Sequence, residues 1–318
     1  MLSLLQPKTN ITTSLTGSDP YEILFFGLLI FGSICSFFYI NCVLLFTLRS
    51  KQVFCETSRH ILLFSLIFGD TYQQVPNLLL YLLACLLLKI PYYACGVLVL
   101  FIVFIESVSP LTLAVMSLER YVSVCHPLRH ATIFTVRSTG TAIAAVWTFS
   151  FIYILIRVFM LVYLFATISM NLQMNDFCSK EGFFFPLIFV EFEKVYVSTL
   201  FLSVGVAIIG SYIGVARVAR SASTDKESAK KALQTLLLHL IQLTLVLTSS
   251  LFSTIIIAIA RTVNRSALLR VYNICFVLLI ILPRCLGTLI YGLKDQTIRP
   301  VLLKNLCCRW RTSVVLKK

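Results

Sequence analysis

Seven long apolar stretches, separated by short polar or charged breaks, run along almost the whole chain. They cover residues 21–48, 60–88, 92–124, 139–168, 183–216, 232–260 and 268–293. A helix that crosses a bilayer needs about 20 mostly apolar residues, and hydrocarbon offers no water to bond its backbone, so each stretch is predicted to span the membrane as a helix. With 58% hydrophobic residues and a mean hydropathy of +0.93, the chain has too much apolar surface for a water-soluble fold. The predicted fold class is an all-α membrane protein: a seven-transmembrane helix bundle followed by a short amphipathic helix.

Basic residues set the predicted orientation. They gather in the first, third and fifth breaks and in residues 294–318, all on one side, and the positive-inside rule places that side in the cytosol. We therefore expect an extracellular tail at residues 1–20, the bundle at residues 21–293 and a cytoplasmic amphipathic helix and tail at residues 294–318. The expected location is the plasma membrane. The net charge of +14 lies in short segments beside apolar spans, where it attracts membrane lipid headgroups, so it does not indicate nucleic-acid binding.

Motifs for catalysis and cofactor binding are missing from the sequence. It contains no phosphate-binding loop of the GxxxxGK[ST] or GxGxxG kind and no HExxH pair, and its four histidines are scattered. We therefore predict no enzyme activity, no cofactor and no metal site.

Three kinds of covalent modification are predicted. The triplet Asn10-Ile11-Thr12 is an N-glycosylation acceptor in the expected extracellular tail. Cys95 and Cys178 both lie on the exterior side, where disulfides persist, and we expect them to bond and hold the fourth break over the mouth of the bundle. Cys307 and Cys308 follow an amphipathic segment and are candidates for palmitoylation; two unmodified surface cysteines remain the alternative.

One acid lies in the middle of the second stretch. Asp70 is an ionisable group within a predicted span, which marks a functional site by default. Such a carboxylate binds a cation such as sodium or bonds to polar residues of neighbouring helices, and Asn41 is the expected partner. A protonated acid that serves packing alone is the alternative.

The cytosolic end of the third stretch carries Glu119, Arg120 and Tyr121. A neighbouring acid and arginine form a local ion pair that releases the guanidinium when another partner competes for it, which makes a two-state element. The run over residues 116–128 resembles the odorant-receptor form of the Glu/Asp-Arg-Tyr signature of rhodopsin-like G-protein-coupled receptors. Asn41, Asp70, Cys95 and Trp147 stand where that class carries its asparagine, acid, cysteine and tryptophan.

Further segments resemble the odorant branch, in the form found in divergent fish and amphibian receptors. They are Ser211-Tyr212, the opening of span six from Lys231 to Leu240, and Tyr291-Gly292-Leu293-Lys294-Asp295. Span seven departs from the class pattern, because Gly287-Thr288-Leu289-Ile290-Tyr291 replaces Asn-Pro-x-x-Tyr and Pro283 lies earlier. The kink of this helix is therefore expected to move.

The resemblance implies a function. An odorant receptor binds a small-molecule odorant in the extracellular half of the bundle and activates a heterotrimeric G protein, here expected to be the olfactory stimulatory type. The implied docking surface consists of Arg120, Tyr212, Lys231 and Tyr291. A receptor for a peptide or lipid is the alternative within the class, and a membrane transporter is the alternative outside it.

The ligand site is expected at three positions of span three and two intramembrane arginines. Turns counted back from Arg120 place Ile102, Glu106 and Ser109 toward the bundle interior. Arg157 and Arg284 are unusual charges within spans, and we expect Glu106 to pair with one of them, either as structural glue or to recognise a polar ligand. An anionic ligand would suit an unpaired arginine. The position where amine receptors carry an aspartate holds Ile102, and span seven lacks the lysine of an opsin.

Overall fold

The computed structural model describes most of the chain and builds it from helices. The described residues are 20–86, 88, 90–167, 178, 180–184, 187–221, 226–252, 255–256, 259, 265–294 and 298–308. We keep the predicted sides as names: the exterior end of the bundle holds Cys95, and the cytosolic end holds Arg120.

Seven spans follow one another along the chain. Their helices are Pro20–Ser50, Ser58–Cys85, Tyr92–Glu106 with Val108–Cys125, Val136–Thr167, Leu187–Ser221, Lys226–Ser250, and Arg265–Cys275 with Phe276–Ile281 and Leu282–Lys294. Four short helices, Gln52–Glu56, Pro127–Ile133, Lys180–Phe183 and Ile298–Cys308, lie between or after them. The predicted seven-helix bundle is confirmed.

Six helices of the described part are long and apolar enough to cross a membrane by length and composition. Span two, Ser58–Cys85, is not one of them, because it carries a run of polar side chains in its middle. Asp70, Thr71, Gln73 and Gln74 are all buried, so this polar run faces the bundle and not the lipid.

Span three lies at the centre of the bundle, in contact with spans two, four, five and six. Leu113 and Met116 of this span pack in one apolar cluster with Leu66 of span two, Ile208 of span five and Leu243 of span six. The cytosolic half of span three is therefore held from several sides at once.

Among the described residues, spans three and seven depart from regular α-helix, and each departure lies near a proline. Span three breaks at Ser107, because Pro110 has no N–H for the carbonyl of Glu106 four residues earlier. Span seven forms a π-helix over Phe276–Ile281, just before Pro283. Span seven is thus irregular just ahead of Pro283, and the expected displacement of its kink stays a prediction.

The helix Ile298–Cys308 packs back onto the cytosolic ends of spans one and seven. Ile298 and Leu302 are buried, whereas Arg299 and Lys304 are exposed, as an amphipathic helix requires. Asn305 donates a hydrogen bond from Nδ2 to Oγ1 of Thr47 in span one, at 2.8 Å.

Candidate functional site

A disulfide attaches the loop between spans four and five to the exterior end of span three. Cys95 and Cys178 are bonded, with their Cα atoms 5.6 Å apart, as the sequence predicted. The short helix Lys180–Phe183 follows Cys178, and the ring of Phe183 lies on Gly96. A Cβ atom at Gly96 would come within 2.8 Å of that ring, so only glycine lets the loop approach span three this closely.

This approach brings Lys180 into a group of charges that we call the exterior charge cluster: Glu106, Arg157, Lys180 and Glu193. The ammonium of Lys180 lies 2.9 Å from Oε2 of Glu106 and 2.7 Å from Oε1 of Glu193. The other oxygen of Glu193 lies 3.3 Å from Nη2 of Arg157. The cluster thus ties the exterior loop to spans three, four and five.

Arg157 is fully buried in span four. Its guanidinium carbon lies 4.9 Å from the ring centre of Tyr153, one turn earlier in the same helix, and 4.5 Å from that of Phe184 in the loop. Aromatic faces stabilise a cation that has been removed from water. Span six joins the same region, because the hydroxyl of Ser250 donates to Oε1 of Glu106 at 3.3 Å.

The charge of Lys180 is fixed by its neighbours. Burial alone would lower the pKa of its ammonium, but the carboxylates of Glu106 and Glu193 outweigh burial and raise the pKa above its ordinary value. The ammonium therefore stays charged at neutral pH.

The expected pairing of Glu106 with Arg157 or Arg284 is wrong. Glu106 pairs with Lys180, because the disulfide holds the loop against span three close enough for the lysine to reach inward. Lys180 and Glu193 were not among the residues that the sequence predicted for the ligand site. Glu193, however, lies inside the apolar stretch 183–216, and the rule that identified Glu106 applies to it equally.

A second buried charge pair lies in the middle of the bundle. Oδ1 of Asp70 accepts hydrogen bonds from Ser109 and from Nη1 of Arg284, both at 2.7 Å. The side chains of Arg284 and Asp70 are 3% and 4% exposed. The cation beside Asp70 is therefore the Arg284 guanidinium of the protein itself.

The expected contact between Asn41 and Asp70 is also wrong. Asn41 donates from Nδ2 to Oγ1 of Thr71 at 2.7 Å, whereas Oδ1 of Asp70 accepts from Ser109 of span three and Arg284 of span seven. Neighbouring residues of a helix point in different directions, so span two offers Thr71 to span one and Asp70 to the interior. Of the expected ligand positions, Glu106 and Arg157 belong to the exterior charge cluster, Ser109 and Arg284 surround Asp70, and Ile102 is buried.

The cytosolic end carries the acid and arginine of the signature as an ion pair. Nε of Arg120 lies 3.5 Å from Oε2 of Glu119, and Nε2 of His130, in the helix Pro127–Ile133, lies 3.2 Å from Oε1. Glu119 is thus shared between Arg120 and a histidine that sequence reasoning left out of the site. The expected partners of this end are Tyr212, which is partly buried against Val215 and Leu236, and Lys231, which is exposed.

Tyr121 packs on a glycine of span five. A Cβ atom added to Gly214 would clash with the edge of the Tyr121 ring. The third residue of the signature is therefore held by a backbone surface that carries no side chain.

The altered ending of span seven has a steric explanation. At Gly287, where the class pattern has asparagine, an added Cβ would lie 2.8 Å from Nε2 of Gln242 in span six. Glycine at this position makes room for the amide of Gln242. The side chains of Tyr291, Cys307 and Cys308, and Asn10 as a whole, lie outside the described residues, so their expected roles stay predictions.

These features define a class. A bundle of seven helices, whose third span carries an acid-arginine pair at one end and a disulfide-anchored loop at the other, is a membrane receptor and not an enzyme. The family model described as "7 transmembrane receptor (rhodopsin family)" matches residues 40–291. The chain belongs to the rhodopsin family of seven-transmembrane receptors, as its sequence motifs predicted.

Three relatives are named as odorant or olfactory receptors. The chain is 32% identical to odorant receptor 131-2 of Danio rerio over 272 residues, which cover 81% of this chain and 78% of the relative. It is 30% identical to human olfactory receptor 52B6 over 58% of this chain and 56% of the relative. It is 26% identical to human olfactory receptor 4Q2 over 68% of this chain and 66% of the relative. These relatives confirm the similarity to the odorant branch.

Proposed function

We propose that this protein is an odorant receptor, which binds a small molecule in the exterior half of its bundle and activates a heterotrimeric G protein. The observation that carries the proposal is the ion pair between Glu119 and Arg120 at the cytosolic end of span three. It lies on the same span whose exterior half carries Glu106, so one span, made of two successive helices, connects a polar exterior site to a two-state cytosolic element.

The exterior site has the composition that a ligand-operated receptor needs. It joins the loop to spans three, four, five and six through polar contacts, so a ligand that rearranges these contacts changes how the spans sit against one another. A ligand shifts an existing equilibrium only if it binds one of the two states more tightly. Contacts between side chains of different spans change when the spans repack, so a ligand bound to them can favour one of the two states.

The cytosolic end then provides the output. In the active state the ends of the spans part, Arg120 leaves Glu119, and a helix of the G protein docks in the opening. Arg120, Tyr212, Lys231 and Tyr291 form the proposed docking surface. The amino terminus is proposed to be extracellular, the receptor to lie in the plasma membrane and the G protein to be the olfactory stimulatory type, in keeping with the odorant-receptor relatives.

The test is a cAMP assay in cells that co-express an olfactory stimulatory G protein. Wild type, Arg120→Ala and the control Arg137→Ala, an exposed arginine at the start of span four, are compared at equal surface expression across a panel of water-soluble and volatile odorants. We expect a response in wild type and in the control, and its loss in Arg120→Ala. A response that survives in Arg120→Ala, or silence of all three proteins across the panel, would contradict the proposal.

A further inference from the structure

The exterior charge cluster is already occupied by an ammonium group that belongs to the chain. Lys180 extends from the exterior loop, and its Nζ lies within 2.9 Å of carboxylate oxygens of both Glu106 and Glu193. An ammonium group has three donors and no acceptor, so the two carboxylates, which come from different spans, form a binding site for one primary amine. The loop supplies that amine in the structure.

Access decides which charge of the cluster an external molecule can exchange. The side chains of Lys180, Glu106 and Glu193 are 18%, 19% and 25% exposed, whereas that of Arg157 is 0% exposed. Of the two cations, Lys180 is therefore the one that an external molecule can reach, while Arg157 packs between the rings of Tyr153 and Phe184. A group that takes the place of the ammonium keeps both carboxylates paired only if it carries a positive charge itself.

Charge balance points the same way. The cluster holds two carboxylates and two cations, so its net charge is zero. The exchange of one ammonium for another keeps that balance, whereas an added carboxylate would leave an uncompensated charge in a partly buried site. An anionic ligand was expected to suit an unpaired arginine. Because Arg157 already faces Glu193, such a ligand is disfavoured.

Arg157 also shows that the cluster is incomplete. Its Nε and Nη1 are buried and make no hydrogen bond to any residue that the structure describes, and Nη2 reaches Oε2 of Glu193 at 3.3 Å. Buried donors normally have acceptors, so a purely structural ion-pair network would have filled these positions. Arg157 and Lys180 contact the two oxygens of the Glu193 carboxylate, so they lie close to each other. A ligand whose ammonium takes the place of that of Lys180 can therefore reach the Arg157 guanidinium with an oxygen only a few atoms away from its nitrogen.

We infer that the ligand is a small primary amine with a neutral oxygen acceptor, whose ammonium displaces Lys180 from Glu106 and Glu193 and whose oxygen accepts from Arg157. This inference rests on the proposed function and names its ligand class. The sequence disfavoured amines because Ile102 stands where amine receptors carry an aspartate. The structure places an acid one turn deeper, at Glu106, and adds a second acid from span five.

The test uses direct binding, so it does not depend on coupling to a G protein. Purified full-length receptor is heated in the presence of millimolar ethanolamine, propylamine, propanol or propionate, and Tm is measured. A molecule that binds only the folded state raises Tm. We expect ethanolamine to raise the Tm of wild type most, propylamine less, and propanol and propionate not at all.

Matched variants separate the site from general charge effects. Glu106→Gln should remove the amine effect, whereas Glu191→Gln, in an exposed pair with Lys194 on span five, should keep it. Lys180→Gln removes the tethered competitor and should tighten amine binding by about tenfold if Lys180 fills the site in nine molecules of ten, while Lys194→Gln should change nothing. Arg157→Lys should abolish the preference for ethanolamine over propylamine.

Each outcome decides one of the two proposals. Stabilisation by propionate or propanol equal to that by the amines would overturn the amine assignment, as would an unchanged amine effect in Glu106→Gln. Amines that leave Tm unchanged while other odorants raise cAMP would overturn this inference and leave the proposed function standing. Amines that raise Tm in a receptor that never raises cAMP would support the inference and contradict the coupling.

Discussion

The buried pair of Asp70 and Arg284 stabilises the bundle only as a pair. Each charge has been removed from water, so the loss of one partner leaves the other uncompensated, and such a loss costs about 3–5 kcal/mol. Asp70→Asn and Arg284→Gln should therefore each lower the Tm of the purified receptor clearly. The double variant Asp70→Leu with Arg284→Met should recover most of the loss, because no charge is left behind. A double variant that is less stable than both single variants would contradict this account.

The same pair predicts how the receptor responds to sodium. Since the Arg284 guanidinium lies 2.7 Å from Oδ1 of Asp70, replacing sodium by potassium in the buffer should leave the Tm of wild type unchanged. Arg284→Met frees the carboxylate, and its Tm should rise with sodium in preference to potassium. Sodium-dependent stability in wild type would show that an ion still enters the site beside the arginine.

A glycine of span five holds the third residue of the signature. Gly214→Ala inserts a methyl group where the Tyr121 ring lies, and overpacking of this kind costs about 1–3 kcal/mol. The ring must move, which should lower Tm and alter basal cAMP. Gly210→Ala, one turn earlier on the same helix, is the control, because nothing lies within 4 Å of its added Cβ. That control should be neutral or slightly stabilising, since alanine favours helix over glycine.

At the scale of helices, the sequence predicted most of the structure, because a membrane constrains helices strongly. All seven spans, the amphipathic helix Ile298–Cys308 and the disulfide of Cys95 followed from apolar length, alternating polarity and compartment. The pairing of charges did not follow. Glu106 could reach several cations, and the choice of Lys180 depends on how closely the loop lies on Gly96.

Glu106 lies directly before the interruption of span three at Ser107. Pro110→Ala restores an N–H donor to the carbonyl of Glu106, so this turn should become regular α-helix and the position of Glu106 relative to Lys180 should shift. We expect a weaker response to agonist in the cAMP assay at equal surface expression. Pro76→Ala is the control, because Pro76 lies inside the continuous helix of span two. Equal effects of the two substitutions would show that the break has no special role.

At the scale of the whole molecule, span three connects the two ends. Its exterior half is anchored by the disulfide of Cys95 and carries Glu106. In its middle, Ser109 donates a hydrogen bond to Asp70, and its cytosolic end carries Arg120. Because span three contacts four other spans, we expect it to carry the proposed coupling between the two ends of the bundle. A change at the exterior loop should then alter the state of the cytosolic ion pair.

Removal of the disulfide tests whether the bond to span three holds Lys180 in place. Cys95 and Cys178 close a segment with a sequence separation of 83 residues, and removal of such a cross-link costs about 2–5 kcal/mol. The variant with serine at both positions should have a lower Tm, and its loop should no longer hold Lys180 between Glu106 and Glu193. Lys180→Gln, which removes these two ion pairs, should therefore change Tm less in the serine variant than in wild type. A reducing agent should lower the Tm of wild type and leave that of the serine variant unchanged, while Cys35→Ser, a change at an exposed free cysteine of span one, should behave as wild type. If Lys180→Gln had the same effect with and without the disulfide, the loop would hold its lysine in place without the bond to span three.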